Sequence, residues 1–259
     1  MAYQTILVDK KDRVATVTLN RPKSLNALSR QVSRDLAQCA QVLEADSEVW
    51  VVVLTGAGRA FAAGADIKEI SECTPIQMRD WARELFTSLE RFGGMEMPVI
   101  AAVNGLALGG GFELALACDL IYASDQAQFG VPEIKIGVFP GAGGVQKLSR
   151  LIGLPRAKEL VFYGDFISAE TARQYGAINQ VFPHDQFMDN VMEKANTLAQ
   201  LSPVALKVAK AIFREGFHAS TTESVYRDID ATAMLFSTED QKEGMNAFVE
   251  KRKAVFKGA

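Results

Sequence analysis

The sequence predicts an α/β fold followed by a helical C-terminal region. Before about residue 184, strand-like and helix-like segments alternate, which favours crossover units that cover a central sheet. Residues 49–55 and 98–103 are nearly continuous apolar runs, as expected for strands that are buried on both faces. The later segments have helical periodicity instead. We therefore expect residues 1–197 to form the α/β core and residues 198–259 to form the helical region.

Local patterns predict the first elements. Residues 3–9 and 13–20 alternate in the manner of strands, and Lys11-Asp12 would form the polar hairpin turn between them. From Ser29 to Ala45 apolar side chains recur at intervals of three and four residues, which predicts an amphipathic helix capped by Ser29. The further elements predicted in the core are strand 49–55, helix 75–92, strand 98–103, helix 109–118 and strand 119–123.

The C-terminal region is predicted to consist of helices. Ser202-Pro203 and Ser237 are typical helix starts. The sequence contains no internal repeat and no low-complexity tract, so each helix is predicted from its own periodicity. The predicted helices are 184–201, 203–215, 219–235 and 238–252.

Composition and charge exclude several classes of protein. The formal net charge of −3 gives no general attraction to nucleic acid or to an anionic membrane. Cys39, Cys73 and Cys118 are too few, and odd in number, for a disulfide framework; Cys39 and Cys118 are predicted to be buried free thiols in a reducing compartment. Residues 1–11 lack the features of a signal or transit peptide, and polar residues interrupt the apolar stretch 98–123. We expect a cytoplasmic protein without a membrane span.

Glycine-rich segments stand inside otherwise core-like sequence. Residues 62–67 follow strand 49–55 and its turn, residues 104–113 follow strand 98–103, and residues 140–144 form another such segment. Backbone amides that open a helix point outward without partners and can hold developing negative charge. Two such amides that converge from two strand ends would form an oxyanion hole. The alternative is that these glycines only permit tight turns or close helix packing.

Other catalytic patterns fit this sequence poorly. It contains no phosphate-loop string and no Gly-x-Ser-x-Gly elbow, and residues 141–144 lack the last glycine of a dinucleotide fingerprint. His184 and His218 are the only histidines, and neither lies near carboxylates or thiols at ligand spacing. We expect both at the surface, so the sequence predicts neither a histidine triad nor a metal site.

Glu113 and Glu133 are the candidate catalytic groups. Glu113 follows three glycines and precedes an apolar helix, where a buried charge must be paired, neutralised or used. The alternative is a carboxylate that only favours the dipole of its helix. Glu133 lies in the predicted loop 129–134, and a lone loop glutamate is more often solvated. Two carboxylates that face one pocket would hold a water between them, one as base and one as acid.

Five strings in order along the chain resemble the crotonase superfamily, and specifically its enoyl-CoA hydratases. The resemblance spans nearly the whole chain and implies an α/β, crotonase-like spiral of ββα repeats with a C-terminal helical region. It also implies a homotrimer, often paired into a hexamer. The strings are Asn20-Arg21-Pro22-Lys23-Ser24-Leu25-Asn26-Ala27-Leu28, Phe61-Ala62-Ala63-Gly64-Ala65-Asp66-Ile67, and residues 104–113, 129–133 and 140–144.

The same resemblance implies a binding site for an acyl-CoA substrate. The amides of Ala65 and Gly110 match an oxyanion hole for the thioester carbonyl. Glu113 and Glu133 match the pair that positions water at C3 and exchanges a proton at C2. No metal or redox cofactor is implied, because the amides meet the enolate charge. Positions that match those lining CoA are Lys23, Leu25, Ala63, Asp66, Ile67 and Lys257; Val145 and Lys147 depart from the Thr and Arg that many hydratases carry there.

The leading expectation is reversible syn addition of water to a trans-2-enoyl-CoA, which gives a 3-hydroxyacyl-CoA. One alternative is double-bond isomerisation, or another enolate reaction on the same scaffold. Another is an RNA-binding relative, but the first helix carries only Arg30 and Arg34 as cations, so RNA binding is not expected. Trp81, Phe86 and Phe139 are candidates for shaping the acyl end of the pocket, but packing is the expected role of each.

Overall fold

The computed structural model describes residues 3–216 and 220–259. Its larger sheet has the strand order β1-β2-β3-β5-β7-β10, and all neighbours are parallel except the hairpin β1-β2. The smaller sheet has the order β4-β6-β8-β9, and only its last pair is antiparallel. The strands are β1 (Ile6–Lys11), β2 (Val14–Leu19), β3 (Val51–Gly56), β4 (Ala60–Ala62), β5 (Val99–Val103), β6 (Leu106–Leu108), β7 (Leu120–Ser124), β8 (Gln128–Gly130), β9 (Ile167–Ser168) and β10 (Gln180–Phe182).

Helices alternate with pairs of strands through the core. The chain passes from a strand of the larger sheet to one of the smaller sheet and then into a helix, as in β5, β6 and α4. This repeated order confirms the predicted α/β fold with ββα units and C-terminal helices. The helices are α1 (Arg30–Glu44), α2 (Ile67–Ile70), α3 (Pro75–Gly93), α4 (Gly110–Ala115), α5 (Gly144–Ile152), α6 (Leu154–Tyr163), α7 (Ala169–Tyr175), α8 (Phe187–Leu198), α9 (Pro203–Gly216), α10 (Thr221–Leu235) and α11 (Glu239–Glu250).

The central strand β3 is buried on both faces, as its apolar sequence predicts. Val52 and Leu54 belong to the core cluster that contains the buried side of α1, whereas Val51 and Val53 belong to the cluster that contains buried residues of α8. Alternate side chains of one strand thus pack on opposite sides, which requires an apolar residue at every position. Ser29 caps α1 as predicted: its Oγ accepts from the amide of Val32 at 3.3 Å.

Several predicted boundaries were wrong for local reasons. The hairpin turn is Asp12-Arg13, because Lys11 pairs with Val14 and the two turn residues have φ of +50° and +69°, as a type I′ turn requires. The helix predicted over 109–118 ends at Ala115. Residues 129–134, predicted as a loop, contain the end of β8 and part of the 3-10 helix Pro132–Ile136.

Some predicted environments also differ. Cys39 is buried, but Cys118 is partly exposed because it follows the end of α4. Trp81 lies in the core, whereas Phe86 and Phe139 are 43% and 66% exposed and have no core packing role. His184 is exposed as predicted, with Nδ1 2.9 Å from the Oγ of Ser124. The prediction for His218 lies outside the described residues, as does the predicted helix start at Ala219.

Lys210 is one of the residues that tie the C-terminal region to the core. Lys210 on α9 donates from Nζ to the carbonyl oxygens of Gly93 (2.9 Å) and Met97 (3.0 Å) and to Oδ2 of Asp119 (2.6 Å). In α9, α10 and α11 the fully buried residues are few: Pro203, Asp240 and Ala247. On this ground we propose residues 198–259 as a region distinct from the core 1–197. Within the described ranges, no helix is long and apolar enough to cross a bilayer.

Asp240 holds the end of the chain, and its removal is expected to destabilise the protein. This buried carboxylate accepts hydrogen bonds from the amides of Lys257 (2.8 Å) and Gly258 (3.2 Å) and from the hydroxyl of Ser202 (2.8 Å). Asp240→Ala is expected to lower the free energy of unfolding by about 1–3 kcal/mol, measured by urea denaturation. The matched change at exposed Asp230 should stay within about 0.5 kcal/mol, and equal losses would contradict the assignment.

Candidate active site

Two backbone amides meet at the carboxyl ends of β4 and β6. The amide of Leu28 donates to the oxygen of Gly64 (2.8 Å), and the amide of Asp66 donates to the oxygen of Leu28 (2.9 Å). This parallel bridge turns the amide of Ala65 to the opposite side. Gly110 is the first residue of α4, so its amide has no acceptor within the helix. A Cβ on Gly110 would lie 3.6 Å from the nitrogen of Ala65, which makes the two amides neighbours.

Two glycines adopt backbone conformations that allow this approach. Gly64 has φ of +102° and Gly109 has φ of +51°, a region that residues with a side chain rarely adopt. A Cβ on Gly64 would also lie 3.2 Å from the oxygen of Leu108. The segments 62–67 and 104–113 can therefore come this close only with glycine at these positions.

Glu113 is buried, and backbone amides hold its carboxylate. Glu113 is only 2% exposed, and its Oε1 accepts hydrogen bonds from the amides of Ala142 and Gly144, each at 2.8 Å. A Cβ on Gly144 would lie 2.9 Å from that oxygen and 3.0 Å from the Cβ of Pro140. The segment 140–144 therefore presents the N-terminus of α5 to Glu113, and the glycine makes room for the carboxylate.

Glu133 reaches the same place from the 3-10 helix Pro132–Ile136. A Cβ on Gly109 would lie 2.5 Å from Oε1 of Glu133, so its carboxylate lies against the residue that precedes α4. Its Oε2 is buried and has no hydrogen-bond partner among the described residues. Buried polar atoms are almost always bonded, so an unpartnered oxygen indicates a place for a substrate or water atom. The fold thus brings together the two glutamates that the sequence singles out.

The two carboxylates influence each other's protonation. Burial raises the pKa of Glu113, while the amides of Gly144 and Ala142 and the charge of Lys147 oppose this rise. Burial, with a smaller contribution from the neighbouring charge of Glu113, raises the pKa of Glu133 to about 7, although its own backbone amide opposes the rise. Two carboxylates this close favour a state in which one is ionised and the other protonated.

Five of the predicted CoA contacts lie next to one another. Leu25 and Ala63 are half-buried, and the amide of Ala63 donates to the oxygen of Leu25 at 3.0 Å. Lys23 is exposed in the 3-10 helix that precedes Leu25. Asp66 is the N-cap of α2, and Ile67 is the exposed first residue of that helix. Ala63, Asp66 and Ile67 thus lie within two residues of Ala65 along the chain, and Leu25 is hydrogen-bonded to Ala63.

Lys257 does not join this set within one chain. Its amide bonds Asp240, and a Cβ on the next residue, Gly258, would lie 3.7 Å from the ring of Trp50. Trp50 directly precedes β3, whereas the other five positions follow the carboxyl end of that strand. Six residues at about 3.3 Å each separate the two ends by roughly 20 Å.

Two residues of the first string have structural roles that the sequence analysis did not assign. Buried Asn26 donates from Nδ2 to the oxygens of Ala57 (3.0 Å) and Ala60 (2.7 Å), which joins the string to the turn between β3 and β4. Arg21 pairs with Oδ2 of Asp66 at 2.9 Å. The sequence offered a signal for both roles, because Asn26 and Arg21 are polar residues within the string 20–28 that resembles the family.

Metal ligands are not grouped in this region. In the part of the chain that the structure describes, no cluster of three or more histidine, cysteine, aspartate or glutamate residues could hold a metal ion. The polar groups at the site are the two backbone amides, which donate hydrogen bonds, and the two carboxyl groups, which can accept and release protons. This set can hold a developing oxyanion and move protons at a neighbouring carbon.

Comparison with known proteins identifies the family. Residues 9–259 match the family model described as enoyl-CoA hydratase/isomerase. The chain is 42% identical over 257 residues to a short-chain-enoyl-CoA hydratase of Clostridium acetobutylicum, covering 98% of this chain and 97% of that protein. It is 38% identical over 260 residues to a crotonyl-CoA hydratase of Syntrophomonas wolfei, with 99% of each covered.

Comparison with solved structures gives the same family. A crystal structure of an enoyl-CoA hydratase from Bacillus anthracis superposes with a TM-score of 0.96 at 38% identity, covering 99% of this chain and 100% of that one. The match extends through the core and the C-terminal helices, and it confirms the resemblance inferred from the five strings. The chain belongs to the enoyl-CoA hydratase/isomerase family.

Proposed function

We propose that this protein is an enoyl-CoA hydratase, a hydro-lyase that adds water reversibly and syn to trans-2-enoyl-CoA. The product is 3-hydroxyacyl-CoA. The observation that carries this proposal is the meeting of two carboxylates, Glu113 and Glu133, beside two converging amides. Relatives of similar length named as enoyl-CoA hydratases, at about 40% identity, support the same reaction.

The amides of Ala65 and Gly110 would bind the thioester oxygen. Hydration at C3 passes through an enolate, in which negative charge moves to that oxygen. Donors that point at this charge before it develops stabilise the transition state by about 3–4 kcal/mol each. Because the amides carry this charge, the proposed reaction needs no metal or redox cofactor, and the CoA thioester is the substrate.

The glutamate pair would divide the proton transfers. Glu113, whose charge is stabilised by the amides of Ala142 and Gly144, takes a proton from water as the hydroxide oxygen bonds to C3. Glu133, with its raised pKa, donates a proton to C2. Exchange with solvent then returns the proton from Glu113 and reloads Glu133, so the net reaction adds one water. The pair, rather than either residue alone, is the titrating unit.

The basic side of the pH profile should report the proton that the glutamate pair retains, which the proposed mechanism assigns to Glu133. Its carboxyl must be protonated to donate to C2, and its pKa is raised to about 7. We therefore expect kcat/KM, which reports the pKa of the free enzyme, to fall as pH rises through about 7, approaching about tenfold per pH unit well above it. Steady-state rates in buffers of constant ionic strength would show this. A flat profile through that range would contradict the assignment of Glu133 as the acid.

The first test is turnover of crotonyl-CoA by the purified protein. Loss of the enoyl thioester absorbance, with 3-hydroxybutyryl-CoA identified by mass spectrometry, is the expected result. Formation of a shifted double bond without hydroxylated product would instead support isomerisation, the runner-up on this scaffold. No product from crotonyl-CoA or from longer and branched 2-enoyl-CoAs would overturn the proposal.

RNA is not expected as a partner. The two cations of α1, Arg30 and Arg34, both pair with Glu84, at 2.5 Å and 3.0 Å. Their charge is therefore offset by a carboxylate, and the helix offers no basic stripe to a phosphate backbone. A filter-binding measurement at low salt is expected to give no retention of RNA.

We propose that the protein assembles as a homotrimer or as a hexamer of two trimers, and that it is cytoplasmic. Large apolar side chains on the C-terminal helices support assembly: Phe213 is 81% exposed and Phe248 is 84% exposed. Exposed apolar surface of this kind is typical of contacts between subunits. The free thiols Cys39, Cys73 and Cys118 support a reducing compartment. Light scattering in solution would measure the assembly directly.

A further inference from the structure

An ion pair flanks the segment that holds Glu113. Nζ of Lys147 on α5 lies 2.5 Å from Oε1 of Glu90 on α3. The helix α4, which carries Glu113, packs against both α3 and α5. The pair therefore joins the two helices that enclose the catalytic helix. The Lys147 side chain is 24% exposed, so its ammonium is partly withdrawn from solvent.

The backbone fixes where Lys147 lies relative to Glu113. The amide of Lys147 donates to the oxygen of Gly143 at 2.9 Å, and its Cε lies 3.7 Å from the position of a Cβ on Gly143. Gly143 stands between Ala142 and Gly144, the two residues whose amides bind Glu113. The lysine stem therefore runs along the same short segment that grips the carboxylate.

Few other charges face Glu113. The strands β4 and β6, which pack on α4, carry no charged residue. Glu133, on the 3-10 helix Pro132–Ile136, carries a carboxyl group, which when ionised has the same sign of charge as Glu113. At the far end of α4, Asp119 and Lys210 pair with each other at 2.6 Å. In the part of the chain that the structure describes, Lys147 is a cation whose charge lowers the pKa of Glu113 that burial raises.

We propose that Lys147 is a positioning residue for hydration, which Glu90 holds beside the N-terminus of α5 so that the buried Glu113 carboxylate stays ionised. Two neutral amides satisfy one oxygen of Glu113, but desolvation still favours the protonated form. A fixed ammonium offsets that preference and so keeps the group able to take a proton from water. This inference rests on the proposed hydratase function.

The test compares Lys147→Met with Lys147→Arg in the full-length protein. Activity falls as pH falls through the pKa of Glu113, because only the ionised carboxylate accepts a proton. Lys147→Met should raise that pKa, and the acidic limb of kcat/KM should move up by about 0.5–1 pH unit. On the acidic limb kcat/KM should therefore fall by about 3- to 10-fold relative to the unmodified protein, with KM little changed. At higher pH the two proteins should have nearly equal activity.

The controls separate charge from packing. Lys147→Arg keeps the charge and should restore the acidic limb. Lys11→Met removes a charge from an exposed position in β1 and should leave the limb unchanged. A loss in Lys147→Met that is equal at every pH, or an arginine variant that behaves like the methionine variant, would overturn the proposal and leave Lys147 a packing role.

A measurement without turnover keeps this inference separate from the proposed function. Titration of the carbon-13-labelled carboxyl of Glu113 by NMR reads the same shift in the absence of substrate. If the unmodified protein hydrates no enoyl-CoA, the proposed function fails, and the NMR titration still decides whether Lys147 acts on Glu113. An unchanged titration of Glu113 in Lys147→Met would overturn the inference even in an active hydratase.

Discussion

Replacing Glu113 or Glu133 with glutamine is expected to lower kcat for crotonyl-CoA hydration by about 100- to 10,000-fold, the range typical of general acid–base groups. Glutamine is nearly isosteric with glutamate, so the side chain should stay in place. At position 113 its carbonyl oxygen can still accept from the amides of Ala142 and Gly144. What each variant loses is the ability to take up and release a proton in the working pH range.

The double variant tests whether the glutamates act as one unit. Two groups that handle a single water and share a proton have strongly non-additive effects, so Glu113→Gln combined with Glu133→Gln should lose little more than the worse single variant. Glu159→Gln, a change at an exposed glutamate of α6, is the matched control and should keep full activity. Multiplicative losses in the double variant would indicate independent roles, and unaffected single variants would remove the pair from the mechanism.

Long elements with a clear period were predictable because local physics decides them. Helices α1 and α3 and strands β3 and β5 lie close to their expected positions, since burial imposes a regular pattern on each. The three-residue strands β4, β6 and β8 were not predicted. Strands this short are stabilised by their neighbours in the sheet, and nothing in their own sequence separates them from a loop.

The roles of the individual glycines could not be predicted from the sequence. Some of these glycines allow close packing of backbone segments, and others leave space for the carboxylates of the site. A Cβ on Gly111 would lie 1.9 Å from the oxygen of Ala62, so Gly111 serves helix packing. A Cβ on Gly109 or Gly144 would instead collide with a glutamate carboxylate, at 2.5 Å and 2.9 Å. Identical residues in neighbouring positions cannot be told apart without the tertiary contacts.

Pairings between residues that are far apart in sequence were also not predictable. Glu113 and Glu133 are both visible as unusual acids, but their meeting depends on β6 and β8 lying side by side in the smaller sheet. Lys147 and Glu90 belong to helices that are far apart in sequence, and no local pattern links them. A periodic pattern reports which face of an element is buried, whereas the partner across the core depends on the whole topology.

Replacing Gly110 with proline is expected to lower kcat/KM for crotonyl-CoA by about 100- to 1,000-fold, the effect of removing one oxyanion donor. Gly110 is the first residue of α4, a position where proline is well accepted because its missing amide hydrogen has no partner inside the helix. The variant should therefore fold, and urea unfolding and circular dichroism would verify this. The amide hydrogen it removes is the one proposed to bind the thioester oxygen.

Gly110→Ala is the control for a Cβ at this position with the amide hydrogen retained. Its Cβ would meet Cδ1 of Leu28 at 3.4 Å and the nitrogen of Ala65 at 3.6 Å, both ordinary contacts, and it keeps the amide hydrogen. The alanine variant should thus lose far less activity than the proline variant. Equal losses would mean that crowding, and not the missing donor, is responsible. Because Glu113 lies three residues further along the same helix, an unchanged acidic limb in the proline variant would show that only the oxyanion donor was lost.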